Sequence, residues 1–155
     1  MTCREHHYHI NIRWTGNRGS GTDSYSSYDR NSELAADGKA TIALSADPAF
    51  RGDATRWNPE ELLLASASAC HKLWYLHLCA DAGIIVEAYE DMAEGTLVEG
   101  ERGHFTQITL RPMVTLRHPA DAVRAEALHH DAHAACFIAN SLNFPVHFVP
   151  HFISG

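Results

Sequence analysis

The sequence predicts an α+β fold in which an antiparallel sheet packs against two central helices. Three observations predict it. A helix start signal at Asn58 is followed by residues 62–85, which are apolar on nearly every face, as is typical of a buried helix. Residues 119–140 repeat apolar side chains at helical spacing, and the flanking segments alternate as half-buried strands do. The resulting order is strands, long helix, strands, helix, strand.

Ahead of the long helix, the pattern predicts strands joined by short turns. Residues 6–14 alternate and indicate a half-buried strand, and residues 22–30 are compatible with a second, more polar one. Asp37-Gly38-Lys39 is a hairpin signal before a short apolar strand at 40–45, and the polar segment 47–57 is a loop. The apolar face of the first strand consists of Tyr8, Ile10, Ile12 and Trp14.

The long helix has an explicit beginning. Asn58 is a suitable N-cap, Pro59 suits the first helical position, and Glu60 and Glu61 place negative charge at the positive end of the helix. Because Glu61 follows Asn58 by three residues, the pair also fits a capping box. Gly83 is the predicted stop.

After the helix, the sequence predicts a buried strand at 84–89 and a connection around Glu94. Residues 105–116 alternate and indicate one further strand. Residues 119–140 form the second helix, with Cys136 in its last turns, and 144–152 is the closing strand.

Length and charge bound the function. With 155 residues and 45% hydrophobic side chains, residues 1–155 are expected to form one domain. A net charge of −7 gives no reason to expect nucleic acid or an acidic membrane surface as a partner. Because the chain has no long uncharged apolar run and its first residues lack the apolar core of a signal peptide, we expect a cytoplasmic protein without a membrane partner.

The four cysteines are the first candidates for chemistry. In a reducing compartment they indicate reduced, metal-bound or redox-active thiols, not a structural disulfide framework. Cys70 and Cys136 each lie in a helical segment behind small residues, which lets two helices approach to disulfide distance, a Cα separation of roughly 5.5 Å. The plain alternative is that each is a small buried hydrophobe, which is how we interpret Cys3 and Cys79.

Two segments resemble a known family. Asn58-Pro59-Glu60-Glu61-Leu62-Leu63 with Cys70 downstream, and residues 132–146 around Cys136, closely resemble the OsmC/Ohr thiol peroxidases, in particular the OsmC-like branch. The resemblance extends over essentially the whole chain, and its two cysteines are 66 residues apart. It implies an interwoven homodimer that reduces organic hydroperoxides.

The resemblance also implies residue roles. Cys70 would attack the peroxide and become a sulfenic acid, Cys136 would condense with it to a disulfide, and an external dithiol would reset the pair without a bound cofactor. Glu60 would orient an arginine that keeps Cys70 ionised. Arg51 best matches the position of that arginine, with Arg30 and Arg18 as alternatives.

Physical arguments add two constraints on Cys70. It lies 12 residues beyond Asn58, so the helix dipole does not reach it and a cation is required to stabilise the thiolate. Glu60 lies ten residues before Cys70, roughly 15 Å along a straight helix. We therefore expect the Glu60 that helps Cys70 to come from the other subunit of a two-fold dimer.

Aromatic and histidine side chains surround the cysteines in the sequence. We expect His71 and His133 to line or border a pocket for an apolar hydroperoxide, with Trp74, Tyr75 and Phe137 as its apolar wall. His129, His133 and Cys136 share one helix face and, with Cys70, form an alternative tetrahedral zinc site. The alternative function is thus a non-catalytic module that binds a metal or an apolar ligand.

Overall fold

The computed structural model describes residues 3–154 and divides the chain into two compact units, Met1–Leu62 and Leu63–Gly155. The α+β class is confirmed. The assignment of residues 1–155 to one domain stays a prediction, and the two units are described separately below.

The N-terminal unit contains a three-stranded antiparallel sheet in the order β1-β2-β3. Its strands are β1, Asn11–Trp14, β2, Ser32–Ala35, and β3, Ile42–Leu44. The register places Ile12 opposite Leu34, and Leu34 opposite Ile42. The first strand is shorter than predicted, and its four side chains are exposed, so the expectation of a half-buried strand is wrong within this chain.

The predicted polar strand at 22–30 is also wrong, because this segment folds as a series of turns. The Ser27 hydroxyl donates to the carbonyls of Gly21 and Ser24, and Asp29 N donates to Gly16 O. Serine side chains that bond nearby backbone groups compete with a strand ladder, which is why this serine-rich segment forms turns. The second strand begins only after this loop.

The loop before the long helix is tightly held. Asp47 caps a 3₁₀ turn at Pro48–Phe50, and Arg51 follows with a left-handed backbone at φ 64°. A Cβ added at Gly52 would lie 1.6 Å from the Ala46 carbonyl oxygen, so only glycine fits there.

Helix α1 extends over Pro59–Asp81, and the predicted capping box is confirmed. The Asn58 side chain accepts from Glu61 N at 2.8 Å, and the Glu61 carboxylate accepts from Asn58 N at 3.1 Å. The chain leaves the helix through Gly83, whose φ of 70° is left-handed as a C-terminal stop requires.

The C-terminal unit has two mixed three-stranded sheets within its described residues, in the orders β4-β7-β9 and β5-β6-β8. In each, the first pair is antiparallel and the second parallel. The strands are β4, Val86–Asp91; β5, Glu94–Val98; β6, His104–Leu110; β7, Pro112–Leu116; β8, Val146–Phe148; and β9, His151–Ser154.

Two strand predictions need correction. The single strand predicted at 105–116 is two strands that belong to different sheets, and the chain changes sheet at Arg111. Arg111 N donates to the Asp91 carboxylate at 2.7 Å, and Pro112 has no N–H to continue a ladder. The connection predicted around Glu94 is in fact the beginning of β5.

The second predicted helix is broken at Cys136. Helix α2 extends over Ala122–Ala135 and α3 over Phe137–Asn140, and Cys136 between them has an extended backbone with φ −68° and ψ 109°. Placing Cys136 in the last turns of one helix was therefore wrong. A period of 3.6 residues cannot detect one non-helical residue between two helical segments.

Two apolar clusters form the core of this unit. One joins α1 and α2 to the β4-β7-β9 sheet through Tyr75, Cys79, Ile84, Val114, Leu116, Ala125 and Ala132. The other packs α1 on the β5-β6-β8 sheet through Ala67, Ile108, Leu110 and Val146. The Ser68 hydroxyl, two residues before Cys70, donates to the Asp91 carboxylate at 2.5 Å and fixes α1 to the end of β4.

No helix in the described part of the chain is long and apolar enough to cross a membrane.

Candidate active site

Cys70 lies at the edge of an open apolar pocket of about 350 Å³ in the C-terminal unit. Cys70, Leu73, Trp74 and His77 lie at i, i+3, i+4 and i+7 and therefore share one face of α1. Phe137 from α3 closes the opposite side, and its ring meets that of Trp74 edge-on at 5.6 Å. The half-buried Cys70 thiol is thus accessible from an aromatic, apolar pocket.

Cys136 has a different environment. Only 1% of its surface is exposed, and its sulfur accepts a hydrogen bond from Ala139 N at 3.4 Å as the cap of α3. Burial raises the pKa of the Cys136 thiol to about 11; the backbone N–H of Ala139 opposes this rise, and the neighbouring Cys70 thiol adds to it.

The two thiols lie close together. Cys70 raises the pKa of Cys136 through both hydrogen bonding and charge, which requires their side chains to be neighbours. Both are free thiols in this structure. One half-buried thiol that opens into a pocket and one buried thiol beside it form an arrangement that supports reversible disulfide chemistry. The other two cysteines contribute nothing here: Cys3 is exposed, and Cys79 is buried in the core, where burial raises its pKa.

The structure does not place His71 and His133 in the pocket. His71 follows Cys70 by one residue, about 100° around the helix, and therefore faces the core. Its Nε2 lies 2.9 Å from His129 Nδ1, and the two side chains are 1% and 0% exposed. The half-buried His133 lies on α2, with its ring 5.7 Å from Phe148.

The described residues offer no ligand set for the alternative zinc site. His129 is fully buried and its Nδ1 lies 2.9 Å from His71 Nε2, so that nitrogen is already hydrogen-bonded. Among residues 3–154, no group of three or more His, Cys, Asp and Glu side chains is arranged to hold a metal ion.

All three candidate arginines belong to the N-terminal unit. Arg18 donates to the carbonyls of Ser26 and Ser27. Arg30 donates to the carbonyls of Tyr25 and Tyr28 at 2.6 and 2.7 Å, with its guanidinium over both rings. The guanidinium of Arg51 lies 5.8 Å above the Tyr25 ring and makes no hydrogen bond or ion pair with any residue between 3 and 154.

Glu60, the expected orienting carboxylate, lies half-buried in the first turn of α1 and belongs to the N-terminal unit as well. The roles of Glu60 and of the arginines stay predictions. Sequence reasoning missed Leu73 and His77 in the pocket, although their spacing from Cys70 was a sufficient signal. It also missed the His71–His129 pair, for which the sequence offers no signal, because the partners are 58 residues apart.

A family model described as OsmC-like protein matches residues 52–150, which include Cys70, Cys136 and all of α1. The chain belongs to the OsmC-like protein family. It is 27% identical over 144 residues to the uncharacterized protein YmaD of Bacillus subtilis, covering 89% of this chain and 87% of that protein. The resemblance inferred from the residues around Asn58 and Cys136 is thereby confirmed.

Solved OsmC-like structures share the fold. An OsmC-like protein of unknown function from Vibrio cholerae is 29% identical with a TM-score of 0.84, covering 94% of this chain and 99% of that one. An organic hydroperoxide resistance protein OsmC from Legionella pneumophila is 21% identical with a TM-score of 0.64, covering 96% and 98%. At that identity the second comparison shows the fold alone.

Proposed function

We propose that this OsmC-like protein reduces organic hydroperoxides to alcohols. The Cys70 thiolate attacks the distal peroxide oxygen, the O–O bond breaks, and the alkoxide leaves and takes up a proton as the alcohol. The resulting Cys70 sulfenic acid condenses with the Cys136 thiol, which forms the disulfide and releases water. An external dithiol then reduces the disulfide, so no bound cofactor is required.

The observation that carries this proposal is the unequal access to two adjacent thiols. Cys70 opens into an apolar pocket of about 350 Å³, and Cys136 is buried beside it. An alkyl or lipid-like hydroperoxide can therefore reach Cys70, and its sulfenic acid forms next to the second thiol. The four free thiols agree with a cytoplasmic setting, where such groups stay reduced.

Arg51 is our choice for the cation that keeps Cys70 ionised. The guanidinium groups of Arg18 and Arg30 donate hydrogen bonds to backbone carbonyls, whereas that of Arg51 donates none among residues 3–154. Its left-handed backbone also costs energy at a non-glycine residue, which is typical of functional positions. Changing Arg51 to Ala should reduce the peroxidase rate by about 10²-fold, as loss of one preorganised electrostatic donor does, and the Arg18→Ala and Arg30→Ala variants serve as matched controls.

A homodimer is part of this proposal. In the resembled family the glutamate acts on the arginine, and roughly 15 Å of helix separates Glu60 from Cys70 in one chain. The exposed apolar side chains of Ile10, Ile12 and Trp14 support an association that covers them. Sedimentation equilibrium measures the assembly, and a monomer at all concentrations would argue against it.

Mass spectrometry after one equivalent of an alkyl hydroperoxide tests the mechanism. We expect a Cys70–Cys136 disulfide in the wild type. With Cys136→Ser, Cys70 should stop at the sulfenic acid after one equivalent and proceed to sulfinic acid when a second equivalent is added, because the condensing thiol is missing. The matched control is Cys79→Ser, which leaves the disulfide intact. A persistent free Cys136 in the wild type would refute the proposed reaction.

The alternative is a non-catalytic module that holds a metal or an apolar ligand. The apolar lining of the pocket favours an apolar ligand, and the described residues offer no metal cluster. Elemental analysis together with thiol labelling distinguishes the peroxidase from the non-catalytic binding module. Stoichiometric zinc that blocks labelling of Cys70 would favour the metal-binding module.

A further inference from the structure

The buried pair His71–His129 is not used by the proposed reaction. The two imidazoles share one hydrogen bond of 2.9 Å with their rings nearly parallel, 4° apart. Their outer nitrogens, His71 Nδ1 and His129 Nε2, are buried without a hydrogen-bond partner among residues 3–154. Burying unpaired polar atoms is unfavourable, and an apolar pair of similar size would avoid that cost. The pair therefore calls for an explanation other than stability.

The pair joins α1, which carries Cys70, to α2, which ends one residue before Cys136. Contacts along these two segments follow an antiparallel order: Cys70 is beside Cys136, His71 bonds His129, and the Arg124 guanidinium donates at 2.9 Å to the carbonyl of Ala82, just beyond α1. The pair is thus one residue from Cys70 on α1. On α2 it lies seven residues, or two turns, before Cys136.

Around the pair, the contact between the helices is apolar and therefore not directional. The Tyr75 ring stacks on His129 at 3.8 Å, and small side chains of α2, Ala125 and Ala132, fill the space against the sheet. Apolar contacts and small residues tolerate sliding of one helix along the other, because hydrophobic burial depends on area and not on direction. A hydrogen bond between two ring nitrogens has narrow limits of distance and angle.

We propose that His71 and His129 are positioning residues whose hydrogen bond fixes the offset of α1 against α2, so that the Cys70 and Cys136 sulfurs meet. This rests on the proposed function, since it assumes that the two cysteines form a disulfide. Neutral imidazole supplies one donor and one acceptor, so either ring can donate to the other and the bond needs no third partner. The pair increases the effective concentration of one thiol at the other.

The equilibrium constant of the Cys70–Cys136 disulfide in dithiothreitol redox buffers tests this, and diamide forms the disulfide without any hydroperoxide. The double variant His71→Met/His129→Leu removes both polar partners at once. We expect it to fold with wild-type stability at pH 7 and to lower the disulfide equilibrium constant about tenfold, or about 30 mV. His130→Gln, an exposed neighbour on α2, should leave the constant unchanged.

A second pair of variants keeps the test independent of whether the double variant folds. Gln and Met have matched length, but only Gln carries a hydrogen-bonding group near the Nε2 position. His71→Gln should therefore retain the wild-type constant and His71→Met should lose it. Equal constants in these two variants, or a wild-type constant in a folded double variant, would overturn the positioning role and leave the peroxidase proposal intact. Failure of diamide to form the disulfide in the wild type would overturn both.

Discussion

Acid should destabilise this protein through its buried histidine pair. Burial lowers the pKa of His71 to about 4 and of His129 to about 3; His133 adds a smaller effect at His71, and His71 and His130 add smaller effects at His129. Both titrate near 6.5 when the chain is unfolded. Below pH 6.5 the unfolded state therefore binds more protons than the folded state. The free energy of unfolding decreases as the pH is lowered, until the folded pKa values are reached.

The size of the effect follows from these values. Between pH 7 and pH 5, each histidine protonates in the unfolded chain and stays neutral in the fold, which costs about 2 kcal/mol per residue and about 4 kcal/mol for the pair. A domain is typically stable by about 5–15 kcal/mol, so the loss is a large fraction of the total. The groups that face the pair are Tyr75, His130, His133, Phe148 and Phe152, and none of them is a carboxylate that would stabilise a charged imidazole.

Urea unfolding followed by circular dichroism at pH 7 and pH 5 measures the loss directly. The comparison uses the His71→Met/His129→Leu double variant, which retains the carboxylates and the exposed histidines and so reports their share of the pH dependence. We expect the wild type to lose about 4 kcal/mol more than the double variant between the two pH values. Equal losses in the two proteins would show that the pair is solvated or charged in the fold, and would refute the reasoning.

Three further predictions concern the framework of the site. Ser68→Ala should destabilise the protein by about 1–3 kcal/mol, measured by urea unfolding, because it leaves the Asp91 carboxylate without a donor from α1. Asn58→Ala should lower the stability by about 1 kcal/mol because it removes one half of the capping box, whereas Asn58→Asp should retain most of the wild-type stability. Thermal unfolding of the wild type and the two variants measures the difference. Gly52→Ala should be among the most damaging single-methyl additions, because the added Cβ meets the backbone oxygen of Ala46. We expect proteolysis of the 45–57 loop to increase in this variant. An unchanged digestion pattern would contradict the packing described for this loop.

The sequence predicted the parts of the fold that depend on local chemistry. The beginning of α1 was predicted correctly because Asn58 and Glu61 satisfy each other within one turn, and its end because Gly83 takes a left-handed backbone. The strand pattern was less informative. Residues 105–116 alternate without interruption, yet Arg111 bonds to Asp91, 20 residues away, and the chain changes sheet there.

Helical spacing is enough to bring together side chains that share one face of α1, whereas other neighbours depend on the tertiary structure. Trp74 lies one turn from Cys70, and both line the pocket. His71 is adjacent to Cys70 in sequence, and this adjacency suggested a pocket residue, but a rotation of about 100° per residue turns it into the core. Its hydrogen-bond partner there is His129 on α2, and no sequence pattern within one segment can predict a partner from another.

The break at Cys136 separates the environments of the two thiols, and this bears on their order of reaction. Its extended backbone ends α2, places the sulfur under Ala139 N as the cap of α3, and buries it to 1% exposure. The next residue, Phe137, points outward with 69% of its surface exposed and forms a wall of the pocket. A continuous helix through residue 136 would lack the N–H that now caps the sulfur, because Ala139 N would donate to the carbonyl of Ala135. Access and not sequence resemblance therefore assigns the roles in the proposed reaction: a peroxide in the pocket meets Cys70 first, and Cys136 is reached only through Cys70.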